Sequence, residues 1–269
     1  MGKISALLVA IMDWSNKVVL LTGASSGIGR GLALELARRG ATLGLLARRV
    51  ELLEQLAAEI SSENGAAAKT LLLPADVQDA DAMCNAARQL SSTFGRVDVL
   101  IADAGIGVTN PSGEFNAEQL SAVINVNVIG VANSVAAVLP EMIARAGGQL
   151  VVISSLAAYR GLPKSAAYCA SKAAVSAMFE SFRLDLEPRG IDVTIIHPGF
   201  TKTPLTAGRK AHLWWLMEVD FAVGKILGAI EKRKKSYSFP WQLASIVRAG
   251  MIMPTFMYDW ISRRYSFRE

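Results

Sequence analysis

Six short runs of almost continuously apolar residues punctuate the chain, at 18–21 (VVLL), 41–46 (ATLGLL), 70–73 (TLLL), 97–101 (VDVLI), 149–153 (QLVVI) and 191–196 (IDVTII). A strand with one face in water alternates apolar and polar positions. Runs that do not alternate belong to strands covered on both faces, as in a parallel sheet. Between the runs the period lengthens: Ile28, Leu32 and Leu36 recur every four residues, and helical patterns follow at about 50–62, 79–93, 117–145 and 165–187. This alternation predicts an α/β fold, a doubly wound Rossmann-type parallel sheet with helices on both faces, whose ligands sit beyond the carboxyl ends of the strands. No repeat, low-complexity segment or linker interrupts it before residue 200.

Length and composition bring in one constraint each. A chain of 269 residues, 52% hydrophobic, can bury one large core, so 1–269 is read as a single domain. Cys84 and Cys169 are too few for a disulfide framework and lack metal-ligand spacing, so both are read as packed thiols in a reducing, cytoplasmic setting, and no metal is expected. The apolar start, MGKISALLVAIMDW, suggests a leader but has no convincing small-residue cleavage site. It is too short to span a bilayer.

Charge is distributed unevenly. Residues 202–269 carry 12 Lys and Arg against 5 Asp and Glu, whereas the first 201 carry 16 against 18. Four of the five tryptophans lie in the same last quarter, around the basic run KRKK (232–235) and the apolar stretch 239–261. Arg248, Pro254 and Asp259 argue against a membrane span there. Three uses stay open for this segment: peripheral contact with a membrane through 232–261, a cover over a substrate pocket, or packing across a homo-oligomer (dimer or tetramer). No nucleic-acid-binding module surrounds the basic run, so no nucleic-acid partner is expected.

Two stretches carry chemistry. The first strand ends in TGASSGIG (22–29), where Gly23, Gly27 and Gly29 permit a sharp turn and close backbone approach to a pyrophosphate at the start of a helix. Ser25, Ser26 and Ile28 complete this candidate cofactor loop. The spacing is G-x-x-x-G-x-G rather than G-x-G-x-x-G, so its position after the first strand is the stronger argument. The acid that would hold an NAD ribose should close the second strand; the chain has Ala47 there, followed by Arg48 and Arg49. A guanidinium grips a 2′-phosphate that an acid would repel, so NADP(H) is the expected cofactor. The second stretch, SAAYCASK (165–172), puts Tyr168 and Lys172 one helical turn apart, where the ammonium favours phenolate over phenol.

With these pieces in order, the chain resembles the short-chain dehydrogenase/reductase family from about residue 17 to 204. The resemblance rests on TGASSGIG, ADV (75–77), ADAG (102–105), NVIG (127–130), ISS (153–155), YCASK (168–172) and HPGFTKT (197–203). It implies a seven-stranded sheet, with a further strand after residue 230, and places Asp76 and Val77 beside the adenine, Ala104 and Gly105 along the cofactor, and Pro198, Gly199 and Thr203 at the nicotinamide. It selects Ser155, thirteen residues before the tyrosine, over its neighbour Ser154. The implied reaction moves hydride between nicotinamide and a carbonyl carbon: Ser155 holds the carbonyl oxygen, Tyr168 exchanges the proton, Lys172 supports the phenolate and the nicotinamide ribose, and Asn127 supports a proton-relay water.

One departure stands out. The family's usual asparagine after the fourth strand is Asp103 here, which loses an amide donor and adds a charge. His197 and His212 have no carboxylate or cysteine cluster around them in the sequence and receive no role. The expected function is an NADP(H)-dependent oxidoreductase acting on a lipophilic carbonyl or alcohol. A silent NADP(H)-binding sensor is the alternative, which the intact Ser155, Tyr168 and Lys172 set disfavours. A nucleotide-sugar epimerase fits the glycine spacing less well.

Overall fold

A computed structural model of the protein describes residues 12–65, 68–108, 112–207 and 213–264. Seven strands form one sheet in the order β3-β2-β1-β4-β5-β6-β7. They are β1 (Val18–Thr22), β2 (Thr42–Ala47), β3 (Thr70–Pro74), β4 (Val99–Ala102), β5 (Gly148–Ile153), β6 (Ile191–Pro198) and β7 (Ser236–Phe239). All pairings are parallel. The six apolar runs are the first six strands to within a residue or two at each end, and the seventh falls after residue 230 as the resemblance implies.

Alternate strand residues feed two separate cores. Val19 and Leu21 of β1 pack with the apolar faces of α1 (Gly27–Arg38), α2 (Val50–Asn64) and α7 (Val219–Glu231). Val18 and Leu20 point to the other side, onto α3 (Ala80–Phe94), α5 (Gly130–Ala144) and α6 (Ala166–Leu186). Both faces are thus dry, which is why the strand runs do not alternate. The order reverses between β1 and β4, and the loops beyond their carboxyl ends part to leave a crevice.

The stretch expected as one helix over 117–145 is continuous but not uniform. α4 (Ala117–Ile124) passes through a π-helical turn at Asn125–Ile129 into α5. By length and composition this helix could cross a membrane. Here Val123, Val131, Val135 and Val138 are buried, the latter three in the core that α5 shares with α3 and α6.

The C-terminal expectation needs correction. The segment 232–261 does not form one basic and aromatic surface. The run 232–235 enters β7 at the amino end of the strands, where Arg233 pairs with Asp192 at 2.6 Å, Lys235 with Glu187 at 2.8 Å, and Lys234 lies over the Tyr237 ring. The apolar helices α8 (Trp241–Ile252) and α9 (Thr255–Arg264) leave from the carboxyl end of β7. A parallel strand carries its two ends to opposite rims of the sheet, so the basic run and the apolar helices part company. His212 and most of the candidate leader lie outside the described residues.

Candidate active site

At the crevice the chain leaves β1 through Gly23, with φ at 74°, and enters α1 through Gly27, with φ at 58°; both values favour glycine. A Cβ on Gly23 would lie 2.8 Å from the Ala104 backbone, and one on Gly29 only 2.3 Å from the Gly23 carbonyl oxygen. The loop is therefore pressed onto the segment after β4, where the Ala104 N–H donates to Thr22 Oγ1 at 3.2 Å. What remains in front of it is a cavity of about 540 Å³. Its walls include Gly23, Ser25, Ser26, Gly27 and Ile28 from the loop, Asp76, Val77, Ala104 and Gly105 from the ends of β3 and β4, and Pro198, Gly199 and Thr203 beyond β6. Gly29 stands immediately behind this wall. A backbone cradle at a helix N-terminus that side chains could not enter is suited to a diphosphate.

Arg48 and Arg49 close one end. Arg49 donates to Ser25 Oγ at 2.9 Å and Ser26 Oγ at 3.1 Å, folding over the glycine loop, and Arg48 reaches Asp76 at 3.5 Å. Ala47 is buried at the end of β2 and adds no charge. Two guanidinium groups and two hydroxyls thus surround the place where a ribose acid would stand.

The other end carries Ser155, Tyr168 and Lys172. α6 brings the last two to one face, with Lys172 Nζ 5.7 Å from the Tyr168 ring centre. Nζ donates to the Ile153 carbonyl at 2.8 Å, which aims an otherwise flexible side chain. Burial pushes the Lys172 ammonium down to about 8, against the pull of Asp103. Ser155 caps a single turn after β5: its Oγ accepts the Ala157 N–H at 3.1 Å, which leaves the hydroxyl proton to be donated into the cavity.

Ser154 is buried and donates to the Lys172 carbonyl at 3.0 Å, with Ser176 Oγ 2.8 Å away, so it ties β5 to α6. Ser176 continues to His197 Nε2 at 3.2 Å, and His197 stacks on Tyr159. Burial, helped by Arg248, pushes His197 down to about 4, so it is a neutral packing residue.

Asn127 is fully buried and stands behind the cavity wall. The π turn directs its amide at the loop after β4: Nδ2 donates to the Ile106 carbonyl at 2.9 Å and to Ser171 Oγ at 2.9 Å, while Oδ1 accepts the Ile106 N–H at 2.8 Å. Both amide protons are spent on protein partners, and the side chain fastens loop to helix. Ser171, which completes this link by donating to the Tyr168 carbonyl, was not singled out from sequence. Neither was the apolar wall of Leu156, Leu162, Phe200, Leu205, Leu243 and Val247. Leu243 and Val247 are spaced i,i+4 on α8, a signal diluted there by apolar residues on every side.

The family profile described as short chain dehydrogenase matches residues 17–214. The chain is a short-chain dehydrogenase/reductase. It is 41% identical over 252 residues to an uncharacterized oxidoreductase of Myxococcus xanthus, covering 94% of this chain and 98% of that one. To dehydrogenase/reductase SDR family member 7B of Bos taurus it is 34% identical over 234 residues, 82% of this chain and 72% of the relative. Among solved structures, an alcohol dehydrogenase from the archaeon Thermococcus sibiricus, complexed with 5-hydroxy-NADP, superposes with a TM-score of 0.74 at 27% identity, covering 83% of this chain and 95% of that one. Short-chain dehydrogenase/reductases are oxidoreductases that use a nicotinamide cofactor, and the cavity has the backbone cradle such a cofactor requires.

Proposed function

We propose that the protein is an NADP(H)-dependent carbonyl reductase or alcohol dehydrogenase for a lipophilic substrate. The observation that carries the cofactor choice is the end of the cavity formed by Arg48, Arg49, Ser25 and Ser26 beside an uncharged Ala47. Charge-assisted hydrogen bonds from guanidinium to a 2′-phosphate favour NADP(H), and no acid stands at Ala47 to hold the ribose of NAD(H). When bound, the nicotinamide supplies or accepts the hydride. Ser155 donates a hydrogen bond to the substrate oxygen and holds it beside Tyr168. The Tyr168 hydroxyl gives up or takes the proton at that oxygen, and Lys172, fixed on the Ile153 carbonyl, stabilises the phenolate that results. Asn127 acts one step back, holding the loop after β4 against α6.

The apolar wall from Leu156 to Val247 supports the lipophilic substrate. α8 and α9 extend it outward: Trp241 is 72% exposed, Ile252 88%, Phe256 75% and Trp260 61%. This face is suited to rest on a membrane surface from which such a substrate partitions, while exposed Leu184 of α6 and Phe115 before α4 suit a homo-oligomer. The test is oxidation of NADPH and NADH, compared side by side, against carbonyl compounds of increasing chain length. A preference for NADH would overturn the cofactor assignment, and a preference for small polar carbonyls the substrate class. Sedimentation with vesicles and mass by light scattering read out the two surfaces.

A further inference from the structure

Asp103 lies directly under the glycine cradle. Its Oδ2 is 2.7 Å from the point a Cβ on Gly29 would occupy, and its carboxylate accepts the Gly29 N–H, an amide of the first turn of α1. The carboxylate thus sits at the helix terminus whose amides the cavity presents to a diphosphate. Asp103 also lines the same cavity, so two anionic groups would share one positive end of a dipole.

The groups that face Asp103 are few. From α6 comes the Lys172 ammonium, which acts through its field without a direct ion pair; from α1 comes the Gly29 N–H; Thr22 Oγ1 of β1 accepts the N–H of the next residue, Ala104. Enclosure pushes the Asp103 carboxyl up to about 7, with Lys172 and the Gly29 N–H pulling the other way. Lys172 itself donates to the Ile153 carbonyl.

We propose that Asp103 takes up a proton when the dinucleotide binds, so that cofactor affinity in this protein depends on pH through a residue where the family's usual asparagine has no proton to exchange. The inference rests on the reading of the cavity as a dinucleotide site. A bound dinucleotide excludes the remaining water and brings phosphate charge to the same helix end. Both disfavour the carboxylate. The neutral acid accepts the Gly29 N–H as before and regains one donor, the arrangement an asparagine offers.

The test is calorimetric titration of the full chain with NADH and with NADPH between pH 6 and about pH 9, in buffers of low and high ionisation heat, which counts protons taken up. NADH is the cleaner probe because the 2′-phosphate of NADPH titrates on its own near pH 6, by analogy with other phosphate monoesters. Uptake approaching one proton is expected above about pH 7, with Kd weakening up to about tenfold per pH unit there. Asp103→Asn should remove the carboxyl's uptake and flatten the slope near pH 7, leaving only what the Lys172 ammonium contributes around pH 8, while keeping the tight low-pH Kd. In the unmutated protein, difference infrared spectra should gain a protonated carboxyl band on binding, which keeps the inference testable if the variant does not fold. Binding without uptake, or the same slope in Asp103→Asn, overturns it. Failure of both dinucleotides to bind at any pH overturns the cofactor reading as well.

Discussion

The two sides of the cavity are built by different rules. On the cofactor side, from the glycine loop to Lys172, polar groups are tied to backbone: Lys172 to Ile153, Asn127 to Ile106, Thr22 to Ala104. On the substrate side, α8 and α9 present Leu243 and Val247 inward and Trp241, Ile252 and Phe256 outward. Hydrogen bonds have angular demands and buried polar groups must be satisfied, so the first side tolerates few exchanges. Dispersion and burial are non-directional, so the second side requires only apolar volume. On the proposed function, chemistry is concentrated in residues with named partners, and substrate choice is spread over a wall in which no residue is singular.

The sharpest way to break this contrast is at Tyr168. Tyr168→Phe keeps the ring and removes the proton carrier, so turnover should fall by about 10²–10⁴-fold while NADPH still quenches protein fluorescence on titration. Near-normal turnover would mean that the polar side does not carry the chemistry.

His197 tests the same side through stability. The fold holds it neutral, pushed down to about 4, whereas an unfolded chain protonates it near 6.5. Its contribution is present above about pH 6.5 and is lost as pH falls through about 4, on the order of 3 kcal/mol over that window. Urea unfolding at pH 7 and pH 4.5 should show a smaller drop for His197→Asn than for the parent.

Cofactor choice comes next in size. Ala47→Asp with Arg48→Ala restores an acid and deletes a phosphate partner, which should move the NADPH-to-NADH preference in kcat/KM by about 10–100-fold, the worth of a charged hydrogen bond or two. On the apolar side, Leu243→Ala should raise KM for a long-chain carbonyl by about tenfold or less and leave kcat within about twofold, since it removes contact but no reacting group. The smallest effect belongs to the outer face: Trp241→Ser with Ile252→Ser should change unfolding stability by no more than about 0.5 kcal/mol per site, while reducing sedimentation with vesicles. A large loss of stability would show that this face is packed in the protein's own assembly.

The periodicity and motifs of the chain were enough to read the parallel sheet, the glycine turn, the vacancy of charge at Ala47, and the pairing of Tyr168 with Lys172. Each depends on local spacing: two-sided burial erases alternation within a strand, a turn needs glycine at set positions, and i,i+4 residues share a helical face whatever surrounds them. The π turn that aims Asn127, the separation of 232–235 from α8, and the enclosure of Asp103 between α1 and Lys172 were decided only in three dimensions. These depend on which backbone amide, carbonyl or opposite rim of the sheet another segment brings near, and neighbours in space leave no period in the sequence.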